Sequence, residues 1–149
     1  MHDVAVGPGQ VEHGVWFPAY HHNSGPWLKA YEGTFPDDIE VRGFALLLAH
    51  EYVESRLLEE GVPFNSADPR CWSPDEEDGG WMEGTADGIY AAHFLAPRHN
   101  PLNQFIQYRG MGLVPLDMSV LPPETGDPLS VDNLEAVVSA VLEILRSRG

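Results

Sequence analysis

The feature that most constrains the fold is a proline-free stretch that runs from residue 37 to residue 62. Its first residue, Asp37, precedes Glu40 by three positions, which is the capping-box pattern of a helix start. Gly61 stands where such a helix is expected to stop. The stretch therefore predicts one long helix, from about Asp38 to Glu60, as the strongest element of the chain.

Apolar side chains cover most of this helix on a helical wheel, which predicts a central and largely buried element. One apolar face surrounds Glu51 and consists of Phe44, Leu47, Leu48 and Leu58. A second apolar patch consists of Leu46, Val53 and Leu57, and His50 and Glu54 fall between the two. A buried carboxylate is costly unless it is paired, protonated or bound to metal, so Glu51 is expected to need a neutralising partner.

The helix also contains His-Glu-x-x-Glu at residues 50 to 54, one residue away from the zinc-protease signature His-Glu-x-x-His. His50 and Glu54 are four positions apart, so their side chains are neighbours on the helix and can bind one metal ion. Glu51 then lies beside the metal as the predicted general base. The alternative is an ordinary charged helix, in which His50 pairs with Glu54, and Arg42 or a backbone donor binds Glu51.

A catalytic zinc site usually has three protein ligands, and His93 in the sequence IYAAHFLAP is the predicted third. The alternative for His93 is a histidine with a purely structural role in the core. The adjacent His21 and His22 are the second choice, and only one of them can point at a metal. Cys71 is the only cysteine, so a metal site must use His, Asp and Glu. The predicted cofactor is Zn²⁺ or another divalent metal ion.

The remainder of the chain predicts sparse secondary structure. Residues 1–36 are rich in Gly, Pro, His and aromatics, which predicts an irregular segment packed on the core, with an extended piece around Val11–Phe17. Residues 62–83 are predicted as a loop and residues 85–95 as a short helix closed by Pro97.

The C-terminal third is predicted to contain short strands and a last helix. Phe105–Tyr108 and Gly112–Leu116 are the two predicted strands. Asp132 and Glu135 form a second capping-box pattern before an apolar stripe, which predicts an amphipathic C-terminal helix. The 149 residues are thus predicted to form one mainly α domain, with a helical core over 37–149 and an α+β fold as the alternative.

The charge balance restricts the classes of partner. The chain has 8 Lys and Arg against 23 Asp and Glu, a net charge of −15. Because nucleic-acid binding depends on Lys and Arg at phosphates, a nucleic-acid partner is not expected, and a metal cation or a basic protein is. No apolar run predicts a membrane span or a signal peptide. A cytoplasmic location is expected, and secretion as part of a longer protein stays open.

Two segments carry a resemblance. The sequence AHEYVESRLLEEGVPF resembles a helix in uncharacterised C-terminal domains of bacterial polymorphic-toxin-like and secreted proteins, and AAHFLAP is similar to the His-containing segment that follows it. The resemblance covers residues 45 to 97. It implies that His50, Glu51, Glu54 and His93 cluster.

Two hypotheses of function follow from the sequence. The first is a toxin-like, metal-dependent hydrolase, in which His50, Glu54 and His93 bind zinc and Glu51 is the base. The order of the motifs favours peptide or amide hydrolysis over phosphodiester hydrolysis. The second is a non-catalytic acidic interaction protein, such as an inhibitor, an immunity protein or an accessory factor for a basic partner.

Overall fold

The computed structural model describes residues 2–15, 21–97 and 130–148. These residues form β1 (His2–Gly7), β2 (Gln10–Val15), α1 (His21–Glu32), α2 (Asp38–Glu59), β3 (Trp72–Pro74), β4 (Trp81–Glu83), α3 (Ala92–Leu95) and α4 (Val131–Arg148). Within these ranges the strands form two small antiparallel hairpins, β1–β2 and β3–β4. This content agrees with a mainly α or an α+β fold. The predicted strands at 105–108 and 112–116 lie outside the described residues.

The long helix α2 begins and ends within one residue of its predicted bounds. The Asp37 side chain accepts a hydrogen bond of 2.9 Å from the backbone N–H of Glu40, so this residue caps the helix as predicted. Gly61 follows the helix with a φ of 84°, a left-handed conformation that glycine adopts without steric cost. Local sequence signals therefore determine both ends of the element that carries the candidate site.

The core forms where the C-terminal half of α2 packs against α3 and α4. Its fully buried large side chains are Val53, Leu57, Leu95, Val137 and Val141. Each such side chain contributes on the order of 1.5–3 kcal/mol to the stability of the fold. The amphipathic C-terminal helix is confirmed, and its apolar stripe is the surface that faces α2.

The predicted burial of Glu51 is wrong. The buried apolar residues of α2 include Leu46, Leu47, Val53 and Leu57, whereas Glu51 is exposed and Leu48 is 38% exposed. The wheel shows two apolar patches, but it cannot show that the patch around Glu51 is covered only in part. Because α3 and α4 cover the Val53 side, Glu51 needs no neutralising partner from the core.

The N-terminal region is more regular than predicted. The antiparallel pair β1–β2 contains the expected extended piece around Val11, but the helix α1 was not predicted. Pro26 lies inside α1 and weakens its helical signal. The helix is held against α2 by a Trp27–Phe44 edge-to-face ring contact at 5.3 Å, so its stability comes from tertiary packing.

The predicted loop at 62–83 contains the second hairpin, β3–β4. Asn65 connects this region to β1, because its amide group accepts from the backbone N–H of Ala5 at 2.7 Å and donates to the Ala5 carbonyl at 2.6 Å. Gly7 of β1 lies against the Trp81 side chain of β4, at a distance that leaves no room for a Cβ atom. The two hairpins therefore pack together beside α3.

Two predicted helix boundaries need correction. The helix predicted at 85–95 is limited to the four residues of α3. The C-terminal helix begins at Val131, so Asp132 lies in its first turn and does not cap it. Glu135 instead accepts hydrogen bonds from Tyr52 and Arg56 of α2, at 2.5 and 2.8 Å. Among the described residues, none of the helices is both long and apolar enough to cross a bilayer.

Candidate metal centre

Three predicted ligands converge at the contact between α2 and α3. Oε2 of Glu54 lies 3.3 Å from Nε2 of His50 and 2.8 Å from Nδ1 of His93. All three ligand atoms lie within 4.8 Å of one another. The structure therefore brings together the set that the sequence predicted, from residues 39 positions apart along the chain.

Two elements fix the directions of these side chains. His50 and Glu54 are one turn apart on the rigid helix α2, so they face the same way. The backbone N–H of His93 donates to the carbonyl of Phe64 at 3.0 Å, which fixes the start of α3. The His93 ring lies 5.2 Å from the ring of Phe64 and 5.4 Å from that of Phe94. Backbone and aromatic contacts thus turn His93 towards Glu54.

The cluster is buried on one side and open on the other. The side chains of His50 and Glu54 are 9% and 11% exposed, whereas that of His93 is 40% exposed. Solvent and small ligands therefore reach the cluster from the His93 side. This asymmetry gives the site two fixed ligands and one that has room to move.

The carbonyl of Pro97 fixes the tautomer of His50. Nδ1 of His50 lies 2.8 Å from this oxygen, and a carbonyl can only accept, so Nδ1 carries a proton. Metal-binding histidines commonly donate their second ring N–H to a carbonyl or carboxylate in this way. Nε2 of His50 is then the nitrogen available to a ligand, and it is the one that faces Glu54.

A positive charge must lie between His50 and Glu54. With Nδ1 protonated, a neutral His50 directs a lone pair at the carboxylate 3.3 Å away, which is repulsive. A proton on Nε2 or a metal ion removes this repulsion. Burial alone lowers the pKa of His50, but the hydrogen bonds to Glu54 and to the Pro97 carbonyl outweigh it, and the pKa is raised.

Glu54 is ionised in this arrangement. Burial alone raises its pKa, but the hydrogen bonds from His50 and His93 together lower the pKa to about 2. An ionised carboxylate and two imidazoles form a donor set that suits Zn²⁺. The buried part of the cluster therefore presents the chemical groups that a zinc ion requires.

One distance in the cluster agrees with zinc. Donor atoms about 2.0–2.1 Å from a tetrahedral zinc ion are about 3.3–3.4 Å apart. The separation of 3.3 Å between His50 and Glu54 already has this value. His93 lies 2.8 Å from Glu54, a hydrogen-bond distance, so this contact has to lengthen by about 0.5 Å when a metal replaces the proton. His93, the most exposed of the three residues, is the one that has to move.

Glu51 lies beside the three ligands without contacting them. It makes no hydrogen bond or ion pair with any other residue of the described ranges, and its side chain is exposed. Partial burial and the negative charge of Glu54 raise its pKa, against the opposing effect of the two histidines. A carboxylate of raised pKa that is open to solvent can accept a proton from water.

Other residues of the site were not predicted. Phe64 contacts the His93 ring and the Pro97 carbonyl contacts His50, while Asn65 binds Glu83. These roles depend on tertiary contacts, and the sequence marked only Pro97, as the end of a predicted helix. The second choice of ligand, His21 and His22, lies at the start of α1.

Comparison with known proteins gave no further indication of function. No protein-family model, no curated protein and no solved structure matches this chain. The interpretation of the cluster therefore depends on its own geometry and chemistry.

Proposed function

We propose that the protein is a metal-dependent hydrolase, with Zn²⁺ or another divalent cation bound by His50, Glu54 and His93. The observation that supports this most directly is the convergence of one carboxylate oxygen and two ring nitrogens within 4.8 Å. The two histidines and the carboxylate leave one tetrahedral position for water or substrate, as in catalytic zinc sites.

Metal binding and proton transfer would be carried out by different residues of the chain. His50, held by the Pro97 carbonyl, and Glu54 form the rigid half of the site, and His93 completes it from the open side. A bound zinc ion lowers the pKa of coordinated water and polarises a carbonyl group. Glu51, exposed beside the ligands, takes a proton from water and returns it to the leaving group.

The surroundings favour a peptide or amide substrate. Glu51 and Glu54 are acidic groups at the site, with Glu83 nearby, and neither Glu51 nor Glu54 has a Lys or Arg partner among the described residues. A phosphodiester would meet negative charge there without a cation other than the metal, whereas an amide carries no charge to repel. The kinship with polymorphic-toxin-like domains remains part of this proposal, since it depends on the two short segments alone.

Metal titration tests the proposal. Wild-type protein stripped of metal is expected to bind one equivalent of zinc and to melt at a higher temperature with it, because a ligand of the folded state stabilises that state. The variant His50→Ala is expected to lose both effects. His13→Ala is the matched control, because His13 is exposed and pairs with Asp3, away from the cluster.

The outcomes separate the two hypotheses of function. Equal zinc binding by wild type and His50→Ala would exclude the proposed centre. Wild-type protein that binds no divalent metal would also exclude it, and would leave the acidic interaction protein as the remaining proposal. Salt-sensitive capture of a basic protein would support that alternative.

A further inference from the structure

Glu83, the last residue of β4, has an unusual environment. Its Oε1 atom is buried and has no hydrogen-bond partner in the described ranges. Its Oε2 atom accepts a long hydrogen bond, of 3.4 Å, from the side-chain amide of Asn65, and the backbone N–H of Ser66 also acts on the carboxylate. A buried carboxylate oxygen without a donor destabilises a fold. The position therefore invites a functional explanation.

Glu83 and His93 are hydrogen-bonded to two adjacent residues, Asn65 and Phe64. Asn65 binds Glu83 through its side chain, and the neighbouring Phe64 accepts the backbone N–H of His93 at 3.0 Å. The two ionisable groups also interact electrostatically. Burial, the largest effect, raises the pKa of Glu83, and the hydrogen bond from Asn65, the charge of His93 and the backbone N–H of Ser66 lower it in part. Glu83 is thus a neighbour of His93 without contacting it directly.

His93 lacks the supporting contact that His50 has. Nδ1 of His93 faces Glu54, and its second ring nitrogen, Nε2, has no hydrogen-bond partner among the residues that the structure describes. A metal-binding histidine typically donates its second N–H to a carboxylate or carbonyl, which orients the ring and increases its basicity. Pro97 supplies such an acceptor to His50. Glu83 holds an acceptor oxygen without a donor.

We propose that Glu83 is a positioning residue for His93, whose Nε2–H it accepts when a metal binds at Nδ1. The inference rests on the proposed metal centre. Metal binding requires His93 to move away from hydrogen-bond distance to Glu54, and His93 is the exposed ligand that has room to do so. With a metal at Nδ1 the ring proton of His93 lies on Nε2, and the movement would pair this N–H with the Glu83 oxygen that lacks a donor.

Zinc affinity of Glu83→Gln tests the inference. The substitution keeps the size of the side chain and removes its charge. Competition with a chromophoric chelator is expected to show zinc binding about 10–100-fold weaker than in wild type, the usual effect of losing such a partner. Glu83→Asp keeps the carboxylate and is expected to restore part of the affinity. Glu76→Gln, an exposed change of the same charge in the same hairpin, is expected to leave the affinity unchanged.

A purely structural role for Glu83 gives a different pattern. Removing a buried charge would then raise the melting temperature of the metal-free protein and leave zinc affinity unchanged, which would overturn the inference. Nitrogen-15 NMR of the zinc-loaded protein adds a direct readout. The Nε2–H signal of His93 is expected to be protected from exchange in wild type and to lose that protection in Glu83→Gln.

The proposed centre and the role of Glu83 fail in distinguishable ways. If wild type binds no zinc, both are wrong. If wild type and His50→Ala differ as expected but Glu83→Gln binds zinc as wild type does, only the role of Glu83 is wrong. If Glu83→Gln does not fold, Glu83→Asp is compared with Glu76→Gln instead. The inference is wrong if Glu83→Asp binds zinc as tightly as wild type while its His93 Nε2–H is not protected from exchange.

Discussion

The carbonyl oxygen of Pro97 lies 2.8 Å from Nδ1 of His50, and this contact determines what the opposite ring nitrogen can do. Because the carbonyl accepts a hydrogen bond from Nδ1–H, Nε2 faces Glu54 either as a second N–H or as a metal ligand. In metal-free protein it is a proton that joins the two residues. The stability and the metal affinity of the protein should therefore both depend on pH.

The stability of the metal-free protein is expected to fall in acid because of Glu54. Its pKa in the folded state is about 2, against 4.5 as the ordinary value. A lowered carboxyl pKa gives stability that is present above pH 4.5 and is lost as the pH falls from about 4.5 towards 2. Glu54→Gln, which breaks a buried pair, is expected to cost about 3 kcal/mol at pH 6 and much less at pH 3. Urea denaturation at both pH values measures this.

The contribution of His50 to stability changes with pH in the opposite direction. Its pKa is raised above 6.5, so its contribution to stability is complete below pH 6.5 and is lost as the pH rises through the raised value. The ion pair therefore stabilises metal-free protein most between about pH 4.5 and 6.5. The exposed Glu76→Gln serves as control for the acid experiment. If Glu54→Gln lowers the free energy of unfolding by the same amount at pH 3 and at pH 6, the lowered pKa of Glu54 is not the source of the stability.

Zinc affinity is expected to increase with pH. A metal ion and a proton compete for Nε2 of His50, and the raised pKa of this group means that it is still protonated at pH 6.5. Each unit of pH below the raised pKa should weaken zinc binding by about tenfold for the one proton displaced. Isothermal titration in two buffers of different ionisation enthalpy measures the proton released. An affinity independent of pH between 5.5 and 7.5 would refute the competition.

The sequence predicted which residues cluster better than it predicted the fold around them. The capping residue Asp37, the stop at Gly61 and the four-residue spacing of His50 and Glu54 are local signals, and local signals decide helix bounds and neighbours on a helix. His93 was found because few histidines stood in an apolar setting after the helix. Its distance from Glu54 required the tertiary structure.

The errors in the predicted fold have one physical cause. Where the local sequence allows two structures equally well, tertiary packing decides which of them forms. The wheel of α2 offered two apolar patches, and only contact with α3 and α4 shows that the patch of Val53 and Leu57 is buried. The helix α1 forms although Pro26 lies within it. The sequence did not indicate a role for Glu83, because a single glutamate after a Trp-Met pair is typical of a surface residue.

The buried side of α2 can be tested by two matched substitutions. Leu57 is fully buried in the core, whereas Leu48 of the same helix is 38% exposed. Leu57→Ala is expected to cost about 2–5 kcal/mol, because it leaves a cavity among α2, α3 and α4. Leu48→Ala is expected to cost less than about 1 kcal/mol. Chemical denaturation measures both, and equal costs would show that the core lies elsewhere.

The role of Glu51 is separable from metal binding, because Glu51 lies beside the ligands and contacts none of them. Glu51→Gln is expected to bind zinc as tightly as wild type and to hydrolyse a peptide or amide substrate about 10²–10⁴-fold more slowly, the usual contribution of a general base. The exposed Glu59→Gln, two turns further along α2, is the control for the loss of one surface charge and should retain full activity. A slow variant with weakened zinc binding would instead make Glu51 part of the ligand support, and a fully active variant would exclude it as the base.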